Sequence, residues 1–148
     1  MNFRKIELAD KTLFLEMTKQ FFDSPAVLHG VSPECMENNF DAMVDDNPFA
    51  EGYILEDDGK AVGYSFLTRN YSTEVGGICL WMEELFVLPE YRSGGVGRQF
   101  FAFLEQEYRG KVKRIRMEVE PSNTRALALY EKLGFTKLGY VQMVKDNL

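Results

Sequence analysis

Histidine and cysteine, the residues behind most metal and redox sites, are nearly absent: a chain of 148 residues holds only His29, Cys35 and Cys79. The two cysteines lie far apart with no CxxC-like spacing, so neither a disulfide nor a zinc site is expected, and buried thiols are the simpler reading. A lone histidine is more often structural than catalytic, and no metal is expected. Long apolar runs are missing as well, and nothing approaches a membrane span. Met1-Asn2-Phe3-Arg4-Lys5-Ile6-Glu7 carries charges where a signal peptide needs an apolar stretch, so a cytoplasmic protein is expected. A basic excess is also lacking. The net charge of −6 argues against nucleic acid as the main partner, since phosphate contacts need a basic face. Linkers, repeats and low-complexity tracts are absent too. With 45% hydrophobic and 14% aromatic residues, the chain reads as one domain, residues 1–148, with one substantial core.

What the chain does have is a strand that enters a helix through a glycine-rich loop. Leu85, Phe86, Val87 and Leu88 are large and apolar, and Pro89 stops the strand. From about Gly95, the residues Val96, Phe100, Phe101, Phe103 and Leu104 recur at near-helical spacing. Gly94, Gly95 and Gly97 lie between. Glycine accepts positive φ and places no Cβ in the way, so successive N–H groups can converge on an anion at the free donors of a helix start. Arg92 and Arg98 flank this nest and can add charge-assisted contacts. The loop reads as a cradle for a pyrophosphate.

Spacing excludes two familiar cradles. A P-loop needs Lys followed by Ser or Thr after its last glycine, and Gly97 is followed by Arg98 and Gln99. The dinucleotide fingerprint needs a third glycine where this chain has Phe100. The order Arg92-Ser93-Gly94-Gly95-Val96-Gly97 after an apolar strand instead resembles the acetyl-CoA signature of the GNAT superfamily of N-acetyltransferases. The resemblance recurs in Glu118-Val119-Glu120-Pro121-Ser122-Asn123, in Ala126, and in Leu129-Tyr130-Glu131-Lys132-Leu133-Gly134-Phe135, which look like the superfamily's second motif. It covers roughly Trp81 to Phe135.

The element order read from the sequence is compatible with that resemblance. Asn2 to Leu8 reads as a strand, Asp10 as the cap of a first helix and Pro33 as the start of a second. Asp57-Asp58-Gly59-Lys60 is a hairpin signal between Tyr53-Ile54-Leu55 and a strand from Ala61 to Leu67. A long strand spans Ile78 to Leu88. After the Gly97 helix come a strand at Val112 to Val119, a helix from Asn123 to Leu133 stopped by Gly134, and closing strands near Thr136 to Leu138 and Tyr140 to Val144. The resemblance implies an α/β (α+β) fold, a single GNAT-like domain whose mixed, mostly antiparallel central sheet is flanked by helices. It also implies two central parallel strands that splay apart. The pantetheine arm of acetyl-CoA, the acetyl donor, would lie there beside Leu85, Phe86 and Val87, with the pyrophosphate on Arg92 to Arg98.

By the same resemblance, Asn123 and Ala126 contact the cofactor and Tyr130 serves as the acid that protonates the departing thiolate. Helical spacing puts Asn123 and Tyr130 on nearly the same face. Ala126, Leu129, Tyr130 and Leu133 also form a stripe that would pack on any core, and a half-buried tyrosine satisfies both roles. Three glutamates are candidates for the base that deprotonates the amine. Glu83 and Glu84 interrupt the apolar run from Trp81 to Phe86, where an acid facing a closed core is costly. Strict alternation puts Glu83 with Trp81 and Leu85, and Glu84 with Met82 and Phe86, but a bulge common at this place in the family exchanges those faces. Glu83 matches the base of polyamine-type members, and Glu118 that of members acting on protein N-termini. Glu83 ranks first, Glu84 second and Glu118 third.

The acceptor side is expected in the first two helices and their loops, from Phe21-Phe22-Asp23-Ser24-Pro25 through His29 to Asp45-Asp46-Asn47-Pro48-Phe49, which mix aromatics with acids. These point to a small cationic amine as substrate, unless the acids are merely solvated faces. Asn70-Tyr71-Ser72-Thr73-Glu74 also stands near enough in sequence order to line the pocket, and the basic run Arg109, Lys111, Lys113, Arg114, Arg116 is either a CoA phosphate contact or a solvated helix end. Two other classes stay open: a protein N-terminal or lysine acetyltransferase, and a non-catalytic acetyl-CoA sensor. A homodimer is an expectation of the resemblance alone.

Overall fold

A computed structural model describes residues 1–146 of the chain. Nine regular elements follow one another as β1 (Asn2–Lys5), α1 (Lys11–Phe22), α2 (Pro33–Val44), β2 (Ala50–Asp57), β3 (Lys60–Ser72), β4 (Gly77–Val87), α3 (Val96–Glu107), β5 (Arg114–Met117) and α4 (Thr124–Lys132), with short 3-10 turns at Leu8–Asp10 and Pro89–Tyr91. The strands form one sheet in the order β1-β2-β3-β4-β5. Every neighbouring pair is antiparallel except β4·β5, which is parallel.

Local chemistry accounts for the joints. Asp58 and Gly59 both take positive φ, 46° and 75°, as a two-residue hairpin requires, and Asp57 pairs with Lys60 across it. Pro33 opens α2 behind Ser32, whose Oγ accepts the Cys35 N–H at 3.1 Å. Asp10 precedes α1 as expected but does not cap it with its side chain. Its carboxylate is held by the Arg4 guanidinium at 2.7 and 2.8 Å and by the Glu7 N–H, so the ion pair has taken the group the cap would use.

Two apolar layers sandwich the sheet. Phe14 and Met17 of α1 and Phe40 and Met43 of α2 bury against Ile54, Tyr64, Phe66 and Phe86. Val96, Phe100, Phe101 and Leu104 of α3 bury against Tyr53, Leu55, Val62, Leu67, Leu80 and Met82, with Tyr130 and Leu133 of α4 packed alongside. The sheet's register slips once between β3 and β4, where Phe66 pairs with Glu84 but Leu67 pairs with Met82, leaving Glu83 in a bulge. The slip inverts the alternation. Leu80 and Met82 face α3 before it and Leu85 and Val87 after it, while Phe86 turns to the α1 side.

Two expectations are corrected. The closing strands near Thr136 to Leu138 and Tyr140 to Val144 do not form among the described residues. Leu138, Tyr140, Val141, Met143 and Val144 are exposed, without the neighbouring strand that would satisfy their backbone and cover their side chains. In consequence β5 is an edge strand, so the parallel pair lies at one side of the described sheet and not at its centre.

Candidate active site

β4 and β5 pair from Cys79 with Arg114 as far as Met82 with Met117, and there the ladder stops. β4 runs on to Val87, so from Glu83 onward its β5-facing backbone has no strand partner among the described residues. The gap is a cleft. Its walls are Phe21 of α1 and Ala26 of the following loop, Met82, Glu83 and Leu85 of β4, Met117 at the end of β5 and Glu118 to Glu120 beyond it, and Asn123, Ala126 and Tyr130 at the cap and in the body of α4.

At the end of β4 the chain turns through the glycine loop into α3. Ser93 and Gly95 hold positive φ, 73° and 80°, and Gly95 is the left-handed residue that starts the helix. The first bond of the helix runs from the Gln99 N–H to the Gly95 carbonyl at 3.0 Å, which leaves the amides of Val96, Gly97 and Arg98 free at the positive end of the helix. A Cβ on Gly97 would stand 3.2 Å from Leu129 and 4.0 Å from Leu85, so glycine here lets α3 seat closely on α4 and β4. Arg92 folds back, its Nε donating to the Val87 carbonyl at 2.8 Å. Arg125 donates to Ser93 Oγ at 2.8 Å and brings a further guanidinium to the loop. These free amides and cations suit a pyrophosphate.

Asn123 caps α4, its Oδ1 accepting the Ala126 N–H at 3.2 Å, which leaves its amide N–H groups for the cleft. Tyr130 packs edge-on against Phe101 at 5.5 Å and lines the same cleft. Burial pushes its hydroxyl up to about 12, so it carries its proton at neutral pH.

The bulge separates the two adjacent glutamates. Glu83 is exposed in the cleft, where the Thr68 hydroxyl donates to Oε1 at 2.6 Å. Partial desolvation between the cleft walls raises its proton affinity, the Thr68 bond opposes this, and the charge of Glu118 adds to it. Glu118 and Glu120 line the cleft as well. Glu84 does not. It is 5% exposed on the α1 side, accepting from the Tyr64 hydroxyl at 2.5 Å and the Thr18 hydroxyl at 3.4 Å, and burial pushes it up to about 7 against those hydrogen bonds.

Of the residues singled out from sequence, Glu83, Glu118, Leu85, Asn123, Ala126 and Tyr130 share the cleft, and the loop from Arg92 to Arg98 adjoins it. Phe86 faces the α1 layer, and His29, Asp45, Asp46 and Asn70 to Glu74 are not among the cleft walls. The basic run is elsewhere too: Lys111 pairs with Glu107, Arg114 with Glu74, and Arg116 stacks on Trp81 at 4.5 Å. Arg109, Lys111 and Lys113 follow the far end of α3, a helix about 18 Å long that starts at the glycine loop, and Arg114 and Arg116 lie on β5. Thr68 and Arg125 escaped the sequence reading because no local pattern marks them. Thr68 is found only through its register opposite Trp81, and Arg125 through the packing of α4 on the loop.

Residues 13–135 match the profile of the Acetyltransferase (GNAT) family. A candidate ribosomal protein bS18-alanine N-acetyltransferase of Bacillus subtilis (strain 168) is 27% identical over 137 residues, spanning 88% of this chain and 78% of that protein. Among solved structures, a possible acetyltransferase from Clostridium difficile 630 superposes with a TM-score of 0.84 at 18% identity, covering 99% of this chain and 97% of the other. The aminoglycoside N-acetyltransferase AAC(6')-Iy in complex with CoA gives 0.80 at 19% identity, covering 99% and 95%. With the family profile matched from within α1 to the residues just beyond α4, the chain belongs to the GNAT family of acetyltransferases.

Proposed function

We propose that the protein moves the acetyl group of acetyl-CoA directly onto a small cationic primary amine, with Glu83 as general base and Tyr130 as general acid. The observation that carries this reading is the β4 bulge, which puts Glu83 into the cleft that Tyr130 lines from the other wall.

The glycine loop, the free amides of Val96, Gly97 and Arg98, and Arg92 and Arg125 would hold the pyrophosphate. The unpaired edge of β4 from Glu83 to Val87 would hold the pantetheine amides, and a β4 N–H there would stabilise the oxyanion. Bound acetyl-CoA supplies the thioester. An amine enters past Phe21 and Ala26 as an ammonium ion, attracted by Glu83, Glu118 and Glu120. Glu83 takes its proton, directly or through a water, and the neutral amine attacks the carbonyl. As the tetrahedral intermediate collapses, the C–S bond breaks, Tyr130 gives its proton to the departing thiolate, and the proton that the nitrogen sheds on becoming an amide returns to Tyr130. Holding both reactants in one cleft supplies much of the rate, with the base worth about 10² to 10⁴.

A second reading has its own observation. Glu118 shares the cleft with Glu83, so a peptide N-terminal amine attacking with Glu118 as base is the alternative, in line with the activity named for the Bacillus subtilis relative.

Calorimetric titration with acetyl-CoA, followed by a thiol-release screen over polyamines, aminoglycosides, amino acids and short peptides, tests the proposal. Amine-dependent release is expected, with Glu83→Gln lowering kcat/KM by about 10² or more. Loss of activity confined to Glu118→Gln, with peptides the better acceptors, would establish the alternative. Binding without release would leave an acetyl-CoA sensor.

A further inference from the structure

We propose that Glu84, buried where neither substrate reaches it, is a positioning residue: with Tyr64 and Thr18 it ties β4, β3 and α1 together directly beneath the base and the acceptor wall. The inference rests on the transferase reading above.

The three side chains come from three elements. Glu84 follows Glu83 at the point where the bulge ends, Tyr64 lies on β3 opposite Phe86, and Thr18 sits on α1 one turn before Phe21, which lines the cleft. Tyr64 and Thr18 are both fully buried. Their hydroxyls converge on one carboxylate oxygen, and the Ser65 hydroxyl holds the Glu84 main-chain carbonyl at 2.9 Å. Aromatic rings flank this cluster within an otherwise aliphatic layer. Phe14 meets the Tyr64 ring at 4.9 Å and Phe86 meets it at 5.9 Å.

A carboxyl in such surroundings lowers stability relative to an apolar side chain of similar size. What it gains is geometry. The bulge alone does not fix the Glu83 side chain, because an unpaired residue lacks ladder hydrogen bonds on that side. Anchoring the next residue to two other elements removes that freedom. The same anchor holds the turn of α1 that carries Phe21, so base and acceptor wall move as one body.

The cluster also has a charge consequence. The groups that act on Glu84 are Tyr64 from β3, Thr18 from α1 and Glu83 on its own strand, and the nearby Arg92 guanidinium instead stands over the Phe86 ring at 5.6 Å. No cation pairs with the carboxyl among the described residues. When Glu84 ionises, its charge therefore acts on Glu83 and makes that neighbour the stronger base.

The test compares wild type with Glu84→Gln, Tyr64→Phe and the near-isosteric Thr18→Val, in steady-state kinetics from pH 5 to 9 with the best amine from the screen. The expected result for Glu84→Gln is a fall of about 10- to 100-fold in amine kcat/KM at pH 8, acetyl-CoA KM within about twofold of wild type, and loss of the upper of two ionisations in the pH profile. Tyr64→Phe and Thr18→Val lower the amine kcat/KM in the same direction. If Glu84→Gln fails to fold, Thr18→Val carries the test by the ratio of amine to acetyl-CoA effects. Wild-type amine kinetics and pH profile in the variants, or losses spread equally over both substrates, would overturn the inference alone. A wild-type protein that binds acetyl-CoA but releases no thiol would overturn the transferase reading and this inference with it.

Discussion

Glu83 and Glu84 adjoin in the chain, yet one accepts from Thr68 in an open cleft and the other from Tyr64 inside an apolar layer. The sign of the Glu84 shift has a consequence for stability. Its proton affinity is higher in the folded protein than in the unfolded chain, so folding favours the protonated form. The associated stability is fully present below the ordinary carboxylate pKa, and it is lost as pH rises through about 7. A rise from 4.5 to about 7 corresponds to about 3 to 4 kcal/mol, since each pKa unit is worth roughly 1.4 kcal/mol. Glu84→Gln removes the titration while keeping an oxygen for the Tyr64 hydroxyl. The melting temperature of the variant minus that of wild type is therefore expected to increase by about 5 to 10 °C between pH 5 and pH 8. Thermal melts at several pH values check this, and a difference independent of pH would mean that Glu84 titrates normally. A variant steadier at pH 8 yet slower with the amine would show stability given up for geometry.

At the scale of elements, the strand-loop-helix from β4 to α3 was legible in the sequence because its signals are local: an apolar run, a proline stop, and glycines where positive φ is needed. Gly95 tests the functional part of that reading. A Cβ there would meet only Gln99, at 3.9 Å, so Gly95→Ala acts through its φ of 80° and not through crowding. Gly110, at φ 75° with nothing within 4 Å, provides the comparison on the far end of α3. Each substitution is expected to cost about 1 to 2 kcal/mol and lower the melting temperature by a few degrees. Only Gly95→Ala is expected to weaken acetyl-CoA binding in calorimetry, because only there would the distorted amides face a cofactor bound as proposed. Equal binding losses in both would deny the loop its role. The elements that the sequence misread depend on partners. Tyr140 to Val144 has the residues of a strand, but strand formation needs a neighbouring edge, and in the described structure these side chains stand in solvent. The facing of Glu83 and Glu84 was equally beyond local pattern. Alternation in β4 reverses at a bulge that is defined only by its register against Phe66 and Leu67 of β3.

Over the whole molecule, charge is distributed unevenly around the cleft. Arg92, Arg98 and Arg125 belong to the loop and helix ends proposed to hold the cofactor, whereas Glu83, Glu118 and Glu120 line the cleft proposed for the amine. The surrounding protein carries a net charge of −6, so its long-range field also favours the approach of a cation. No helix among the described residues is long and apolar enough to cross a membrane. In water, salt screens a field of this kind. The Debye length falls from about 30 Å at 0.01 M to about 3 Å at 1 M, so an ammonium ion is steered from afar only in dilute salt. For a polyvalent amine, kcat/KM is accordingly expected to fall several-fold between 0.01 and about 0.5 M salt, with kcat at saturation much less affected. The measurement is made at fixed saturating acetyl-CoA, so that screening of the anionic cofactor does not enter. A monovalent amine of similar size should show a shallower slope, since the steering energy scales with the charge carried. If the slopes were equal, or if kcat/KM rose with salt, the carboxylates of the cleft would be acting only on a bound proton, and the preference for a cationic acceptor would have to be abandoned in favour of a peptide amine held by contacts outside the acidic wall.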